Sequence, residues 1–161
     1  MHRSVCRFFV CCLAVSTHAV AGEYVDTANG FRLDSPDFGA VETLGAQVLT
    51  IAGPPEKGFS PNCNVQIQVM GGTLDEYEEL SLRQFESAGW SMIEASQLTV
   101  DGKPAVRWHY RGSMRGVDFE WLSVAVERSG QFLLLTCTAL KENYAKSAEV
   151  FERTTASFRV E

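Results

Sequence analysis

The sequence predicts an α+β fold in which an antiparallel sheet is flanked by two main helices. Turn dipeptides that separate alternating apolar and polar segments indicate antiparallel strands. Two amphipathic segments, one near the middle of the chain and one near its C-terminus, indicate the helices. Runs of strands separated by single helices in this order are typical of α+β domains.

The first residues, Met1–Ala21, have the pattern of a cleavable signal peptide. A basic N-terminal segment with Arg3 and Arg7 precedes a short apolar run at Phe8–Val15. Ala19-Val20-Ala21 is an A-x-A cleavage site. The run is shorter than the about 20 apolar residues that a transmembrane helix needs. We therefore expect a periplasmic or secreted protein after cleavage near Ala21, with no transmembrane anchor and a single domain over residues 22–161.

The mature chain is acidic. The sequence has 14 Lys and Arg against 20 Asp and Glu, a net charge of −6. Because two of the arginines lie in the signal peptide, residues 22–161 carry 12 basic and 20 acidic residues, a net charge of −8. An acidic surface argues against a nucleic-acid partner, whose phosphates require clustered Lys and Arg. It also argues against binding to anionic lipid headgroups.

Two cysteines, Cys63 and Cys137, remain in the mature chain. In an exported domain they can form a disulfide, provided that the fold brings them together. Cysteine is also a common buried residue in its reduced form, so both states stay open. A bridge closing a loop of roughly 75 residues would stabilise the fold by about 4 kcal/mol.

The first half of the mature chain is predicted to form strands. Tyr24–Asp34 is predicted as a hairpin because Asn29-Gly30 is a strong signal for a two-residue turn. Val48–Ala52 and Asn64–Met70 are predicted as two further strands, and apolar and polar residues alternate in the second. Between them, Gly53–Asn62 contains three Pro and two Gly and is predicted as a surface loop, which is a candidate for contact with a partner.

A helix over residues 74–88 follows these strands. Thr73 at the N-cap and Glu76 three residues later form a capping box, and Gly89 provides a C-terminal stop. At about 100° per residue, one stripe of this helix faces the sheet. Its expected buried residues are Leu74, Tyr77, Ser81, Phe85 and Ala88.

The second half is predicted as an antiparallel meander followed by a helix. The predicted strands are Trp90–Val100, Ala105–Gly112, Val117–Arg128 and Gln131–Leu140, with turns at Asp101-Gly102, Ser113–Gly116 and Ser129-Gly130. The last strand is the most apolar, so we expect it near the sheet centre and covered on both faces. A helix is predicted to start near Glu142 or Asn143, and Ser157–Val160 is predicted as a short edge strand.

Several short segments of the mature chain resemble those of the PsbP-like/DcrB-like family. They are GFRLDSP at Gly30–Pro36, PNCNV at Pro61–Val65, DGKPA at Asp101–Ala105, SGQFLLLTCTAL at Ser129–Leu140 and the terminal Ser-Phe-Arg at Ser157–Arg159. The resemblance covers essentially the whole mature chain and implies an α/β/α sandwich. It further implies an exported or lumenal accessory or binding protein. The family has no single functional motif, so the resemblance assigns no functional residue here.

Four basic residues cluster on the predicted meander. They are Arg107, His109, Arg111 and Arg115. The first three share one face of a strand, and Asp118 and Glu120 lie just across the following turn. Two interpretations stay open: the charges pair across neighbouring strands, or they form a cationic site for a carboxylate or an acidic partner. We expect His109 itself to be a polar residue on the outward face of its strand.

The sequence contains no catalytic, metal-binding, cofactor-binding or phosphate-binding motif. His109 is the only histidine of the mature chain, and Ser-His-Asp or Cys-His catalysis would each require it. We therefore expect a non-enzymatic binding or accessory protein of the bacterial envelope, without cofactor or metal. Its expected partner is an envelope protein or a small ligand.

Two alternative functions remain open. An inhibitor or immunity-type protein against a basic exported toxin would use the acidic surface, and its binding would weaken with added salt. A hydrolase would use an unrecognised site near His109, and replacing that residue would abolish its activity.

Overall fold

The computed structural model describes residues 22–36, 41–42 and 47–161. The predicted signal peptide, residues 1–21, lies outside the described residues, so its cleavage stays a prediction. The elements in chain order are β1 Glu23–Asp26, β2 Phe31–Asp34, β3 Val41–Glu42, β4 Gln47–Ala52, β5 Asn62–Val69, α1 Leu74–Ser87, β6 Ser91–Val100, β7 Lys103–Met114, β8 Val117–Arg128, β9 Gln131–Leu140, α2 Tyr144–Ala156 and β10 Arg159–Val160. The predicted α+β class is confirmed.

Within the described residues, seven strands form one antiparallel sheet in the order β3-β4-β5-β9-β8-β7-β6. β9 lies at its centre, as its apolar sequence predicts. A second, smaller sheet has the order β1-β2-β10, in which Val160 lies opposite Phe31. The short last strand was predicted, but its pairing with the N-terminal hairpin was not, because nothing local to either segment specifies the other.

Two-residue turns join the long strands β6 to β9. Asp101-Gly102, Arg115-Gly116 and Ser129-Gly130 all have positive φ angles at both positions, between +49° and +80°. This is the type I′ geometry, whose twist matches that of the flanking strands. The first and third turns lie where they were predicted. The second is shorter than the predicted Ser113–Gly116, because β7 continues to Met114.

The N-terminal hairpin has a longer turn than predicted. Four residues, Thr27–Gly30, connect β1 to β2 instead of Asn29-Gly30 alone. The carboxylate of Asp26 accepts hydrogen bonds from the Asn29 backbone N–H at 2.8 Å and from its side-chain amide at 2.7 Å. These local hydrogen bonds stabilise the four-residue turn. The Asn29-Gly30 dipeptide alone predicts a two-residue turn and does not indicate the bonds to Asp26.

α1 begins where it was predicted and ends at Ser87, one residue before the predicted end. Thr73 and Glu76 form the reciprocal capping box. At the other end the Gly89 N–H donates to the Glu86 carbonyl and the Trp90 N–H donates to the Phe85 carbonyl, at 2.9 and 2.8 Å. This is the Schellman pattern, and the positive φ of Gly89 permits it.

α1 packs on one face of the large sheet, called here the α1 face, through an aromatic cluster. Tyr77 stacks on Phe132 with ring centroids 4.0 Å apart, and Phe85 stacks on Tyr110 at 4.4 Å. The predicted buried stripe is confirmed at Leu74, Tyr77 and Ser81, and Phe85 is half-buried. Ala88 is exposed, contrary to the prediction, because it is the C-cap residue at which the chain turns away.

α2 and the small sheet cover the opposite face, called here the α2 face. The apolar residues buried between these layers include Phe31, Leu33, Phe151, Phe158, Leu122, Val124, Leu133 and Leu135. Successive residues of β9 therefore point into two different cores, with Phe132 in the α1-face cluster and Leu133 in the α2-face core. This arrangement accounts for the continuous apolar run of that strand.

The two cysteines of residues 22–161 lie directly opposite each other on β5 and β9. Cys63 and Cys137 are register partners with Cα atoms 4.0 Å apart, and their sulfur atoms are joined as a disulfide. Both residues are buried in the α2-face core. The bridge links two parts of the chain that are 74 residues apart.

We expect the protein comprising residues 22–161, purified under oxidising conditions, to take up no alkylating agent when it is denatured without reductant. After reduction two thiols should react, and the free energy of unfolding should fall by about 4 kcal/mol, since the unfolded chain regains loop freedom. Intact mass spectrometry and urea unfolding measure these two effects. Two modified thiols without reduction would contradict the bridge.

Gly112 on β7 makes room for Trp90. A Cβ atom added at this glycine would lie 2.2 Å from the Trp90 Cδ1 atom. We expect Gly112→Ala to displace the indole ring and to lower the free energy of unfolding by about 1–3 kcal/mol. Gly71→Ala is the matched control, because nothing lies within 4 Å of its added Cβ atom. Equal unfolding free energies for the two variants would refute this account.

Candidate functional site

The structure separates the four basic residues that the sequence groups together. Arg107, His109 and Arg111 lie on the α2 face of β7, and Arg115 lies in the β7–β8 turn. The side chains of Arg107 and His109 are each only 19% exposed, whereas Arg111 and Arg115 are exposed to solvent. The four residues therefore do not form one open cationic site.

Arg107 binds two carboxylates that come from different elements. Its Nη2 atom lies 2.6 Å from Glu152 Oε1 on α2, and its Nη1 atom lies 3.3 Å from Glu94 Oε2 on β6. Cross-strand pairing of the basic residues was one of the two predicted interpretations, and Glu94 supplies it. Of the two predicted cross-strand partners, Glu120 pairs with His109 and Asp118 accepts from Ser113. Arg107 pairs with Glu152 instead, because α2 crosses this face.

His109 lies between β8 and the first turn of α2. Its Nε2–H donates to Glu120 Oε1 at 2.8 Å, and its ring stacks on Tyr144 with centroids 5.1 Å apart and planes 20° apart. The expectation of an outward-facing polar residue was wrong. The stacking partner lies 35 positions later in the chain, so periodicity along the strand could not reveal that a helix covers this position.

Tyr144 lies in the same group of charges. Burial raises the pKa of its hydroxyl well above the usual value, the negative charges of Glu120 and Glu152 raise it further, and Arg107 partly opposes them. We call Arg107, His109, Glu120, Tyr144 and Glu152 the charged cluster. Within it Arg107 binds the carboxylate of Glu152, and the His109 imidazole donates a hydrogen bond to the carboxylate of Glu120.

The charged cluster offers little free chemistry. The Nε2 atom of His109 is engaged by Glu120, and no serine or cysteine among the described residues hydrogen-bonds to the imidazole. A histidine acting as a general base toward a nucleophile needs such a contact or a water that replaces it. The observed bonds join β6, β7, β8 and α2 to one another, which is the geometry of a structural network.

A cleft opens beside the β7–β8 turn, at one end of the sandwich. It has a volume of ≈ 590 Å³, and its lining residues are Gly116, Val117, Asp118, Leu140, Lys141 and Glu142. The predicted surface loop reaches it, since Lys57 Nζ of that loop lies 2.8 Å from Glu142 Oε1. Exposed Arg115 directly precedes the lining residue Gly116. A mixed lining, with Val117 and Leu140 beside charges of both signs, suits a small amphipathic ligand or a short segment of a partner.

A row of uncharged polar side chains crosses the α1 face and was not singled out from the sequence. Ser123 on β8, Thr136 on β9, Asn64 on β5 and Thr50 on β4 are successive register partners. Ser123 Oγ donates to Thr136 Oγ1 at 3.1 Å, and three of the four residues are buried. The alternating Asn and Gln of β5 were the available signal.

This polar row continues to Tyr110 on β7. The Tyr110 and Ser123 hydroxyl oxygens lie 3.2 Å apart, and burial raises the pKa of Tyr110 to about 12. The hydrogen bonds from Tyr110 to Ser123 and from Ser123 to Thr136 link β7, β8 and β9. They favour the observed register, because a slip by one residue would leave buried polar groups without partners. We therefore assign the polar row a structural role.

Comparison with known proteins identifies the fold. No protein-family model matches the chain, and no curated protein sequence matches it. The solution structure of cyanobacterial PsbP (CyanoP) from Synechocystis sp. PCC 6803 superposes with a TM-score of 0.68 at 16% identity, covering 88% of this chain and 94% of that one. The chain has a PsbP-like fold. The resemblance predicted from the sequence is thus confirmed at the level of the fold.

Two further structures share this PsbP-like fold. PA94 from Pseudomonas aeruginosa, a protein of unknown function, has a TM-score of 0.61 at 16% identity, covering 81% of this chain and 90% of that chain. LpqN from Mycobacterium tuberculosis, involved in cell envelope biogenesis, has a TM-score of 0.57 at 15% identity and covers 86% and 82%. Likeness at this identity shows the fold alone, since one fold serves many functions.

Among the residues that the structure describes, neither helix combines the length and the apolar character that crossing a bilayer would require.

The charged cluster predicts different costs for two arginines of the same strand. Arg107→Ala leaves Glu152 and Glu94 without their cation, so we expect the free energy of unfolding to fall by about 1–2 kcal/mol. Arg111→Ala, at an exposed position without a salt bridge to a described residue, should change it by less than about 0.5 kcal/mol. Urea unfolding of both variants measures the difference. Similar losses in the two variants would contradict the structural role of the cluster.

Proposed function

We propose that the protein is an exported, non-enzymatic binding or accessory protein of the bacterial cell envelope, whose partner is an envelope protein or a small ligand. The observation that carries this proposal is the charged cluster. The histidine on which hydrolytic catalysis would depend is bonded to Glu120 and covered by Tyr144. The signal-peptide pattern and the fold shared with LpqN, a protein involved in cell envelope biogenesis, support the location.

The cleft beside the β7–β8 turn is the proposed contact site. It combines apolar Val117 and Leu140 with the charged Asp118, Lys141 and Glu142. The loop preceding β5 borders it and is held to α2 at a second point, where Lys146 Nζ lies 3.3 Å from Glu56 Oε2. A loop held on a rigid sandwich presents its side chains with little loss of conformational freedom on binding.

The inhibitor or immunity-type alternative is favoured by one observation, the net charge of −8 on residues 22–161. Long-range attraction to a basic partner would accelerate association and would be screened by salt. The hydrolase alternative near His109 has weaker support, because no serine or cysteine of the described residues hydrogen-bonds to the imidazole as a nucleophile would. The inhibitor alternative differs from the accessory role in the identity of its partner, a basic toxin. The hydrolase alternative differs from it in its dependence on His109.

Site-specific photo-cross-linking in envelope fractions tests the proposal. A cross-linking amino acid in place of Val117, at the cleft, should form a discrete adduct, because a bound partner would cover this side chain. The same amino acid in place of Val69 is the control, since Val69 is exposed at the opposite end of the sheet. Adducts are detected by mass shift on a denaturing gel.

The same adducts separate the alternatives. His109→Ala should leave the Val117 adduct unchanged if the protein only binds, whereas a hydrolytic activity lost in this variant would favour the hydrolase. An adduct that disappears in high salt would indicate a basic partner, and its identification as a toxin by mass spectrometry would favour the inhibitor alternative. Identical patterns from the Val117 and Val69 positions would refute the cleft as the contact site.

A further inference from the structure

The exposed edge of the large sheet points to a second contact surface. We propose that β6 receives an extended, basic segment of a partner protein, which adds to the sheet as a further antiparallel or parallel strand. This inference rests on the proposed function as a binding protein and adds the chemistry of its partner.

β6 is an unusually open edge strand. Among the described residues it pairs only with β7, so its outer row of N–H and C=O groups has no strand beside it. It is ten residues long, and residues 93–99 are all exposed. The other edge of the sheet, β3, has two residues. Short edges resist unwanted pairing, whereas long uncovered ones accept an added strand.

The side chains of β6 suit such pairing. Glu94 is its only charged residue, and it contains no proline. Ile93 and Leu98 are 46% and 37% exposed, so an added strand would cover apolar surface there. The pairing with β7 is irregular between Met92 and Glu94 and regular from Glu94 to Val100. The regular part defines the segment on which a partner strand can align.

Acidic groups border this segment on both faces. On the α1 face, Gln97 Nε2 donates to Asp75 Oδ1 at 3.2 Å and to Glu78 Oε2 at 2.9 Å. Glu94 lies on the α2 face. Its carboxylate is 3.3 Å from the guanidinium of Arg107, which lies closer, at 2.6 Å, to the carboxylate of Glu152. Side chains of an added strand alternate between the faces, so Lys or Arg residues on either face would meet carboxylates.

The basic residues near this edge do not neutralise the negative charge of those carboxylates. Lys103, opposite Val100, donates to the Val160 carbonyl at 2.9 Å and is directed toward the small sheet. Arg111 lies opposite Ser91, beyond the irregular pair and outside the regular segment. The regular segment is thus bordered by an excess of negative charge.

A second copy of this chain fits the edge poorly. Antiparallel pairing of two β6 strands about an axis perpendicular to the sheet would place both α1 helices on the same face. Their acidic first turns, with Asp75 and Glu78 directed at the strand, would then approach each other. Like charges brought together oppose association, so the favoured occupant is a different, basic chain.

The probe is a blocked peptide of about ten residues that alternates valine and lysine, tested on the protein comprising residues 22–161. Hydrogen exchange read by mass spectrometry should show new protection confined to β6, and titration gives the dissociation constant. A peptide alternating valine and glutamate should produce no protection. Equal protection by both peptides, or no protection of β6 by the lysine peptide, overturns the inference.

Charge variants test the acidic border. Asp75→Asn combined with Glu78→Gln should weaken binding of the lysine peptide about fivefold, as expected for two exposed pairs. The matched control combines Glu149→Gln on α2 with Glu23→Gln on β1, which changes the net charge equally at exposed positions, and β1 is the strand of the small sheet that lies farthest from β10. Equal weakening in both double variants would mean that only the overall charge matters, and would overturn the site.

Proline variants test the backbone contact. Successive N–H groups of a strand point to opposite edges, so one of Ala95→Pro and Ser96→Pro removes an outward N–H and the other removes a bond to β7. The outward variant is recognised because it keeps its thermal unfolding temperature. We expect it to bind the lysine peptide at least about tenfold more weakly, and unchanged binding overturns strand addition.

The outcome is separable from that of the proposed function. Failure of the peptide to protect β6 while the Val117 adduct forms would overturn the edge site and leave the binding role intact. If light scattering shows a dimer and β6 is protected from hydrogen exchange without peptide, the occupant of the edge is a second copy of this chain. That result would overturn the inference of a basic partner.

Discussion

The pairing of β9 with β5 on one side and β8 on the other is the interaction on which the rest of the structure depends. It joins the first half of the chain to the meander, and the Cys63–Cys137 bridge links the two halves at this seam. Phe132 and Leu133, neighbours in β9, enter the cores on opposite faces. Each helix therefore buries part of its apolar stripe against this strand, because the two helices cover different sides of it.

The chemistry of the candidate site follows from where α2 lies. Once α2 packs across the sheet, Tyr144 covers His109, and Glu152 reaches Arg107. Groups that in another setting would catalyse or bind ligands are used to hold the helix against the strands. Partly buried charges persist only when they are compensated, so the same burial that makes this cluster look like an active site also accounts for its pairing. A binding role then falls to surfaces that remain open.

Two such surfaces exist in the described residues, and they differ in physical character. The cleft beside Val117 offers an apolar wall with charges of both signs at the end of the sandwich. The β6 edge offers backbone groups bordered by Asp75, Glu78 and Glu94. A rigid sandwich with an open edge can thus offer a partner side chains at one place and main-chain groups at another.

Local signals in the sequence determined the elements themselves. The Thr73–Glu76 capping box and the Asp101-Gly102 and Ser129-Gly130 turns act over a few residues, so α1 and the meander were predicted nearly to the residue. Only the tertiary structure decided which distant residues meet: His109 with Tyr144, and β10 with β2. Such contacts depend on how whole layers pack, and a pattern of period two or 3.6 reports which face a residue occupies but not what covers that face.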